Sequence, residues 1–311
     1  MLPERIAIDC GHGFTKALST GGRRLVFPSL ICAQPTALDL GEFAPSQSVS
    51  IGGIPYLVGE PARKHATPLW SREKAGDPDT LRLILVAAAR LGAVGPVQVA
   101  TGLPLAWYGS QRRTFREALT GFGAPIALPG QPPQRLWIES AVVLPQGVAA
   151  AGPVLAAPDY EPGQYLIVDV GYRTTDYLVV EKTPAGDLAF AADSAGSIEL
   201  GMHAVSQFVA HALSEQYHVP FTPEEIEAGP CVAIRGQKVD VSQRLRQARE
   251  TVGRQVARRL AVDLDATLEK LLGIVVVGGG SALLTGVLPG AMTPADPQWA
   301  NAVGYAMALN D

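Results

Sequence analysis

Tyr165-Leu-Ile-Val-Asp169-Val-Gly171-Tyr-Arg-Thr174-Thr-Asp176-Tyr-Leu-Val-Val180 reads as an apolar run, a short polar turn and a second apolar run. That pattern predicts two buried strands folded into a hairpin. Asp169, Gly171, Thr174 and Asp176 stand in or beside the turn. Gly171 lets the backbone bend closely and aim N–H groups at an anion. A carboxylate at the end of a buried strand, beside such a turn, suits a hydrated divalent cation carried on a phosphate chain. The pattern recurs near the N-terminus as Arg5-Ile-Ala-Ile-Asp9-Cys-Gly11-His-Gly13-Phe-Thr-Lys16-Ala-Leu18. The two aspartates are 160 positions apart (169 − 9), which predicts two similar domains facing one another.

Two Asp-x-Gly hairpins can clamp one polyphosphate from opposite sides. Backbone N–H groups cradle the oxygens, Lys16 adds a point charge, and Asp9 and Asp169 hold the metal and its waters. Either turn alone reads equally well as an ordinary glycine turn with an exposed aspartate; the pair, in matching strand context, is more specific.

A length of 311 residues is enough for two domains with substantial cores. Apolar residues make up 47% and charged ones 17%, which places the chain among globular proteins and excludes disorder. The formal net charge of −4 and the absence of a basic run argue against nucleic acid as a direct partner of the monomer. No apolar run reaches membrane-spanning length, and the N-terminus leads straight into a strand without a signal peptide, so a cytoplasmic location is expected. Cys10, Cys32 and Cys231 lack CxxC spacing and read as packed thiols. The five histidines lack metal-ligand spacing. His12, inside the first turn, reads either as a phosphate contact or as a solvent-facing turn residue.

Along the chain, residues 5–10 and 14–19 form the first hairpin and 24–28 a further strand. Residues 49–59 form a hairpin around Gly52-Gly53. Residues 60–78 are irregular, 80–91 a helix, 97–101 a buried strand, 110–119 a helix with Ser110 as its N-cap, and 135–144 a strand. A small-residue helix follows Pro145-Gln146-Gly147, closing an α/β domain near residue 150. After a crossing at 149–163, the Asp169 hairpin opens the second domain, with a third strand at 187–193. Helices are expected at 198–216, after a capping box at Thr222-Pro-Glu-Glu225, and over 241–271, where Gly273 ends the longest one. A small hairpin surrounds Gly236. Ile274–Val277 then runs into Gly278-Gly279-Gly280-Ser281 and a short helix. Triple glycine permits close approach to a flat ligand beside a helix N-terminus, or serves as a plain strand-to-helix turn. An amphipathic helix spans the region from Asp296 to Tyr305.

The order of these motifs resembles the actin-like ATPase superfamily. Asp9-x-Gly11-x-Gly13-x-x-Lys16, with His12 and Phe14 inside it, looks like the first phosphate loop. Asp169-x-Gly171-x-x-Thr174-x-Asp176, with Tyr172 and Arg173, looks like the second, and Val277-Gly278-Gly279-Gly280 with Ser281 looks like the adenosine motif. Tyr56–Ala62, Thr101-Gly102-Leu103-Pro104 and Pro297–Tyr305 are similar to plasmid-segregation actins of the ParM type and their archaeal relatives. The resemblance implies an α/β fold of two similar domains of the actin, sugar-kinase and heat-shock ATPase type, with nucleotide in the cleft between them. Domain I would be 1–150, with 298–311 packing back on it, and domain II 151–297. It also implies a polymerising hydrolase of ATP or GTP, with Mg2+ held through water by Asp9 and Asp169. Gln146 falls where the family orients the attacking water; its other reading is a solvent-facing residue at a helix start. Asp169, Gln146 and Asp9 are therefore the catalytic candidates. Tyr172 and Arg173 depart from the small residues often found in the second loop; Arg173 either pairs with phosphate or turns outward.

Other nucleotide folds fit less well. No G-x-x-x-x-G-K-[ST] segment is present, and Gly11-His-Gly13-Phe-Thr-Lys16 enters a strand rather than a helix. The leading expectation is a filament-forming ATPase that positions DNA through a DNA-binding adaptor. The alternatives are a non-motile nucleotide-binding scaffold of cell-division or pilus type and a small-molecule phosphotransferase.

Overall fold

A computed structural model of the chain describes residues 3–35, 47–67 and 69–310. The chain divides into one unit of Met1–Pro153 with Trp299–Asp311 and a second of Val154–Gln298.

In the first unit, the apolar run at the N-terminus becomes β1 (Glu4–Cys10), which turns back into β2 (Phe14–Ser19). Asp9 stands opposite Lys16 and Cys10 opposite Thr15. Next come β3 (Arg24–Pro28), β4 (Ile31–Ala33), β5 (Val49–Ile51) and β6 (Ile54–Val58), the last two joined at Gly52-Gly53. Asp77 then caps α1 (Pro78–Arg90): its carboxylate accepts from Asp79 N–H at 3.2 Å and from Thr80 Oγ1 at 2.6 Å. The almost continuous apolar stretch of α1, Leu83 to Ala89, is buried. β7 (Gly95–Leu103) lies parallel to β1, and α2 (Leu105–Leu119), β8 (Gly123–Ala127) and β9 (Gln134–Pro145) follow. The nine-stranded sheet runs β3-β2-β1-β7-β9-β8-β5-β6-β4. α3 (Val148–Leu155) leaves β9 through Gln146 and Gly147.

α2 begins five residues earlier than the sequence suggests, so Ser110 is not its N-cap. Pro104, with φ −52°, presets the turn, and its carbonyl accepts from both Trp107 and Tyr108 N–H at 3.0 Å. Ser110 sits inside the helix, its Oγ donating to the Trp107 carbonyl at 3.1 Å.

The second unit repeats the arrangement. β10 (Gly163–Val170) turns back into β11 (Thr175–Lys182), with Asp169 opposite Asp176 and Val170 opposite Thr175. β12 (Leu188–Ile198) adds the outer strand, longer than expected, so that α4 (Met202–Tyr217) starts four residues later than Ile198. α5 (Pro223–Glu227) carries the full capping box of Thr222 and Glu225. β13 (Cys231–Ile234) and β14 (Gln237–Asp240) form the small hairpin, and α6 (Ser242–Leu264) packs on α4.

The apolar spacing predicts a helix to residue 271, yet α6 stops at Leu264. Asp265 takes a positive φ of 35°, and Asp265–Lys270 forms a 3-10 turn. Leu268 and Leu271 still pack on the core, which is why the spacing reads as continuous. Gly273 opens a strand instead of ending a helix: β15 (Gly273–Val277) lies parallel to β10, and β16 (Ala291–Met292) follows it in the sheet order β12-β11-β10-β15-β16.

α7 (Ala300–Met307) belongs to the first unit, against β1, β2 and β7. Its Tyr305 is fully buried with Ala7, Ala100 and Leu309.

Candidate functional site

In the first unit, β1 and β2 hold Asp9 and Lys16 side by side because the ladder places them directly opposite one another. Lys16 Nζ stands 2.7 Å from Asp9 Oδ2, with the two side chains 13% and 5% exposed. Gln146 Nε2 donates to the other oxygen, Asp9 Oδ1, at 3.2 Å. Three of the residues singled out in the sequence thus meet at one carboxylate. Gln146 is half-buried and is not solvent-facing. Its position is fixed from both sides: its own N–H donates to the Leu103 carbonyl at 2.8 Å, and the next N–H, of Gly147, donates to Asn301 Oδ1 at 3.0 Å. Asn301 is buried on α7.

The turn itself is closed by Gly11 N–H donating to the Phe14 carbonyl at 3.1 Å, and Ser29 N–H donates to the Gly13 carbonyl at 2.9 Å. His12 is buried edge-on against Trp107, ring centroids 5.7 Å apart, so its solvent-facing reading does not hold. Phe14 is half-exposed. Burial pushes the Cys10 thiol above its ordinary range, opposed by the positive charge of Lys74 and the hydroxyl of Thr15. Lys74 itself comes from the stretch read as irregular and carries no sequence motif.

In the second unit, Asp169 and Asp176 are opposed on neighbouring strands, and both are buried. The Ser197 hydroxyl, on β12, donates to Asp176 Oδ1. Gly171 N–H closes the turn on the Thr174 carbonyl at 2.9 Å, matching Gly11 in the first unit. The carbonyls of Gly171 and Tyr172 accept the Met202 and His203 N–H groups of α4 at 3.2 and 2.8 Å. Gly201 permits this approach: a Cβ there would sit 2.6 Å from the Tyr172 carbonyl oxygen. The bulky Tyr172 is accommodated because its hydroxyl is drawn to Glu227 Oε1 and His203 Nδ1, each at 2.9 Å. Arg173 is half-buried and Thr174 buried.

The glycine triplet folds onto the same hairpin. Gly278 has φ 88°, donates its N–H to the Pro297 carbonyl at 2.8 Å, and lies so close to Asp169 Oδ1 that a Cβ would collide with it. Gly280 N–H donates to the Val170 carbonyl at 2.9 Å, and Ser281 is buried. Gly279 is exposed. The helix expected after the triplet is a single 3-10 turn, Ser281–Leu283, too short to build an appreciable helix dipole. The structure therefore brings Asp169, Gly171, Thr174, Gly278 and Gly280 together in one unit, and Asp9, Gly11, Lys16 and Gln146 in the other.

Among the described residues, no three or more His, Cys, Asp or Glu side chains are grouped to hold a metal ion. A cation here would keep much of its coordination from water and phosphate, as Mg2+ does. The buried Asp169–Asp176 pair, with the backbone of Gly278 against it, fits such an ion. No described helix is long and apolar enough to cross a membrane.

Sequence comparisons agree with this division. Residues 7–148 match the family model "Actin like proteins N terminal domain", and residues 167–289 match "Archaeal actin homologue MreB-like, C-terminal". An archaeal actin homolog from Thermoplasma acidophilum is 25% identical over 325 residues, covering 96% of this chain and 97% of that one. The subunit of a 15-stranded ParM filament from Clostridium botulinum matches with a TM-score of 0.84 at 20% identity, covering 99% of each chain. The archaeal actin homolog Ta0583, solved in complex with ADP, matches with a TM-score of 0.79 at 21% identity, also over 99% of each chain. These structural likenesses establish the fold.

Proposed function

The chain belongs to the actin-like superfamily, and on that footing we propose that it is a nucleotide-dependent hydrolase that assembles into filaments. The observation that carries this reading is the repeated hairpin. Asp9 faces Lys16 and Asp169 faces Asp176 in the same strand context, and the Gln146 amide lies 3.2 Å from Asp9. The bound ligand in this reading is ATP or GTP. Phosphoryl transfer asks mainly for positioning and charge stabilisation, which such a frame can supply.

Gln146 is the water-orienting residue of this proposal. Donating Nε2 to Asp9 fixes the amide plane and leaves Oε1 as an acceptor for a water hydrogen. Asp169, backed by Asp176, holds Mg2+ through water, and the ion would neutralise charge on the phosphate oxygens. Asp9, whose two oxygens accept from Lys16 and Gln146, takes part in this proposal through the waters of such an ion. Lys16, the Gly11–Phe14 turn and the Gly171–Thr174 turn handle phosphate. Gly278, Gly279, Gly280 and Ser281 are assigned to the nucleoside in this proposal.

The filament of the ParM relative and the ADP complex of the archaeal homolog support self-association and an adenine nucleotide. The resemblance to plasmid-segregation actins extends the proposal to a DNA cargo, reached through a DNA-binding adaptor, in a cytoplasmic segregation role.

Light scattering and pelleting after addition of ATP or GTP, with phosphate release followed in parallel, test the proposal. The expected result is a nucleotide-dependent rise that decays as phosphate appears. Gln146→Ala should rise as the wild type does and decay far more slowly, because an interaction made mainly in the transition state is lost while ground-state binding is kept. Nucleotide binding without any assembly would overturn the filament reading. Assembly without phosphate release would replace it with the scaffold.

A further inference from the structure

Lys74 is the one Lys or Arg among the described residues that is buried, with 4% of its surface exposed. Its Nζ donates to the carbonyl oxygen of Cys10, at the first peptide of the Asp9 hairpin. An ammonium carries three donors and a full charge, and no carboxylate among the described residues lies within ion-pair distance of it. Long cationic side chains ordinarily extend their heads to water, and burying one without a counter-ion is strongly unfavourable.

The surrounding chain holds Lys74 in this position. Gln111 on α2 accepts from Lys74 N–H at 3.2 Å and donates to the Arg72 carbonyl at 2.7 Å. Ser71 closes a turn on Glu73, and Asp77 N–H donates to the Lys74 carbonyl at 3.3 Å before capping α1. The backbone is pinned on both sides, so the side chain is aimed inward. The peptide it meets is fixed at both ends: the Cys10 carbonyl goes to Lys74, and the Gly11 N–H goes to the Phe14 carbonyl. Lys16, by contrast, already stands against the Asp9 carboxylate.

We propose that Lys74 is a positioning residue of the phosphate site: it locks the Cys10–Gly11 peptide and supplies positive potential whose counter-charge is the phosphate chain of the nucleotide. The inference rests on the nucleotide reading above. With water excluded around the ammonium, its field reaches the turn with little screening.

The test is calorimetric titration of the full chain and of Lys74→Met with nucleoside tri-, di- and monophosphates of one base. Thermal melting of the nucleotide-free proteins is measured alongside. For Lys74→Met the triphosphate Kd should rise about tenfold, the size of one charge-assisted contact, and the monophosphate Kd should hardly move. The melting temperature without nucleotide should stay the same or rise, because Met fills a similar volume without a charge. Equal losses for all three ligands, or unchanged affinities with a lower melting temperature, would reduce Lys74 to a structural anchor and overturn the inference. Should Lys74→Met not fold, Lys74→Gln keeps a neutral donor and is read the same way; failure of both to fold also means an anchor. A wild-type chain that binds none of the three ligands overturns the nucleotide reading itself. A binding wild type matched by its variants overturns Lys74 alone.

Discussion

The two hairpins have the same backbone and different charges across the ladder. In each, a buried strand ends one residue past an Asp, passes a glycine whose N–H closes the turn, returns antiparallel, and has a parallel strand on its other side. Across the ladder from Asp9 stands Lys16; across from Asp169 stands a second carboxylate, Asp176. Lys74 adds a further positive charge behind the first hairpin, whereas a serine hydroxyl serves Asp176 in the second. One position beyond the aspartate the first hairpin has Cys10 and the second Val170. Under the proposed function, this repeated backbone frame carries two jobs. A phosphate chain needs cations near it, and the metal ion that travels with it needs anions.

The sharpest way to break this division is to remove the carboxylate charge on each side. Asp169→Asn should cut phosphate release by about 10²–10³-fold, the loss expected when a charge-stabilising group is removed from a preorganised site. Asp9→Asn should cost less turnover and more stability, because it removes the carboxylate charge that stands 2.7 Å from Lys16. Equal turnover losses at unchanged stability would erase the distinction.

Next in size is Lys16→Met. It leaves a nearly buried Asp9 without its cation and should lower unfolding free energy by about 3 kcal/mol in denaturant titrations, besides weakening nucleotide binding. Asp176→Asn, which relieves a pair of like charges, should cost less than about 1 kcal/mol. A similar loss for both would mean that the charge across the ladder is immaterial.

Asn301→Ala strips the Gly147 N–H of its acceptor and should cost about 1–2 kcal/mol. If the loop of Gln146 depends on it, phosphate release should slow severalfold while nucleotide Kd stays put. A raised Kd with normal turnover would place Asn301 elsewhere in the mechanism.

The smallest effect separates Cys10 from Val170. Burial raises the folded-state pKa of Cys10 above its ordinary value of 9.0. The folded state therefore holds its proton where the unfolded chain releases it. The stability this contributes is complete below about pH 9 and is lost as pH rises from there through the raised folded value. Cys10→Val, which copies the second hairpin, should flatten that decline in urea midpoints measured from pH 8 upward; an unchanged slope would assign the decline to other groups.

Both hairpins were legible in the sequence because strand length, short continuous apolar runs and an Asp-x-Gly turn are local signals, and two local signals in one chain reinforce each other. The capping box at Thr222 was legible for the same reason. Ser110 misled because a serine before a polar helix mimics a cap, while the fixed φ of Pro104 had already started the turn five residues earlier. The stop at Asp265 was hidden because a 3-10 turn preserves nearly the same apolar spacing as the helix before it. Lys74 and Asn301 could not be assigned roles from spacing. Their roles depend on partners 64 and 154 positions away, and nothing local to either residue announces such distances.

The return of α7 to the first unit has a consequence during synthesis on the ribosome. Residues 154–298, 145 of them (298 − 154 + 1), are made between the body of the first unit and its final helix. At about 5–20 residues per second that is a delay of roughly 7–29 seconds. Throughout it, β1 and β7 lack the cover of Tyr305, and the Gln146 loop lacks Asn301. A nascent chain thus acquires the Asp9 hairpin early and the Asn301 strut behind the Gln146 loop last. A chain released short of residue 299 would keep both Asp-x-Gly hairpins without the part that holds Gln146 in place, a fault that quality control could recognise by the apolar strand faces left open.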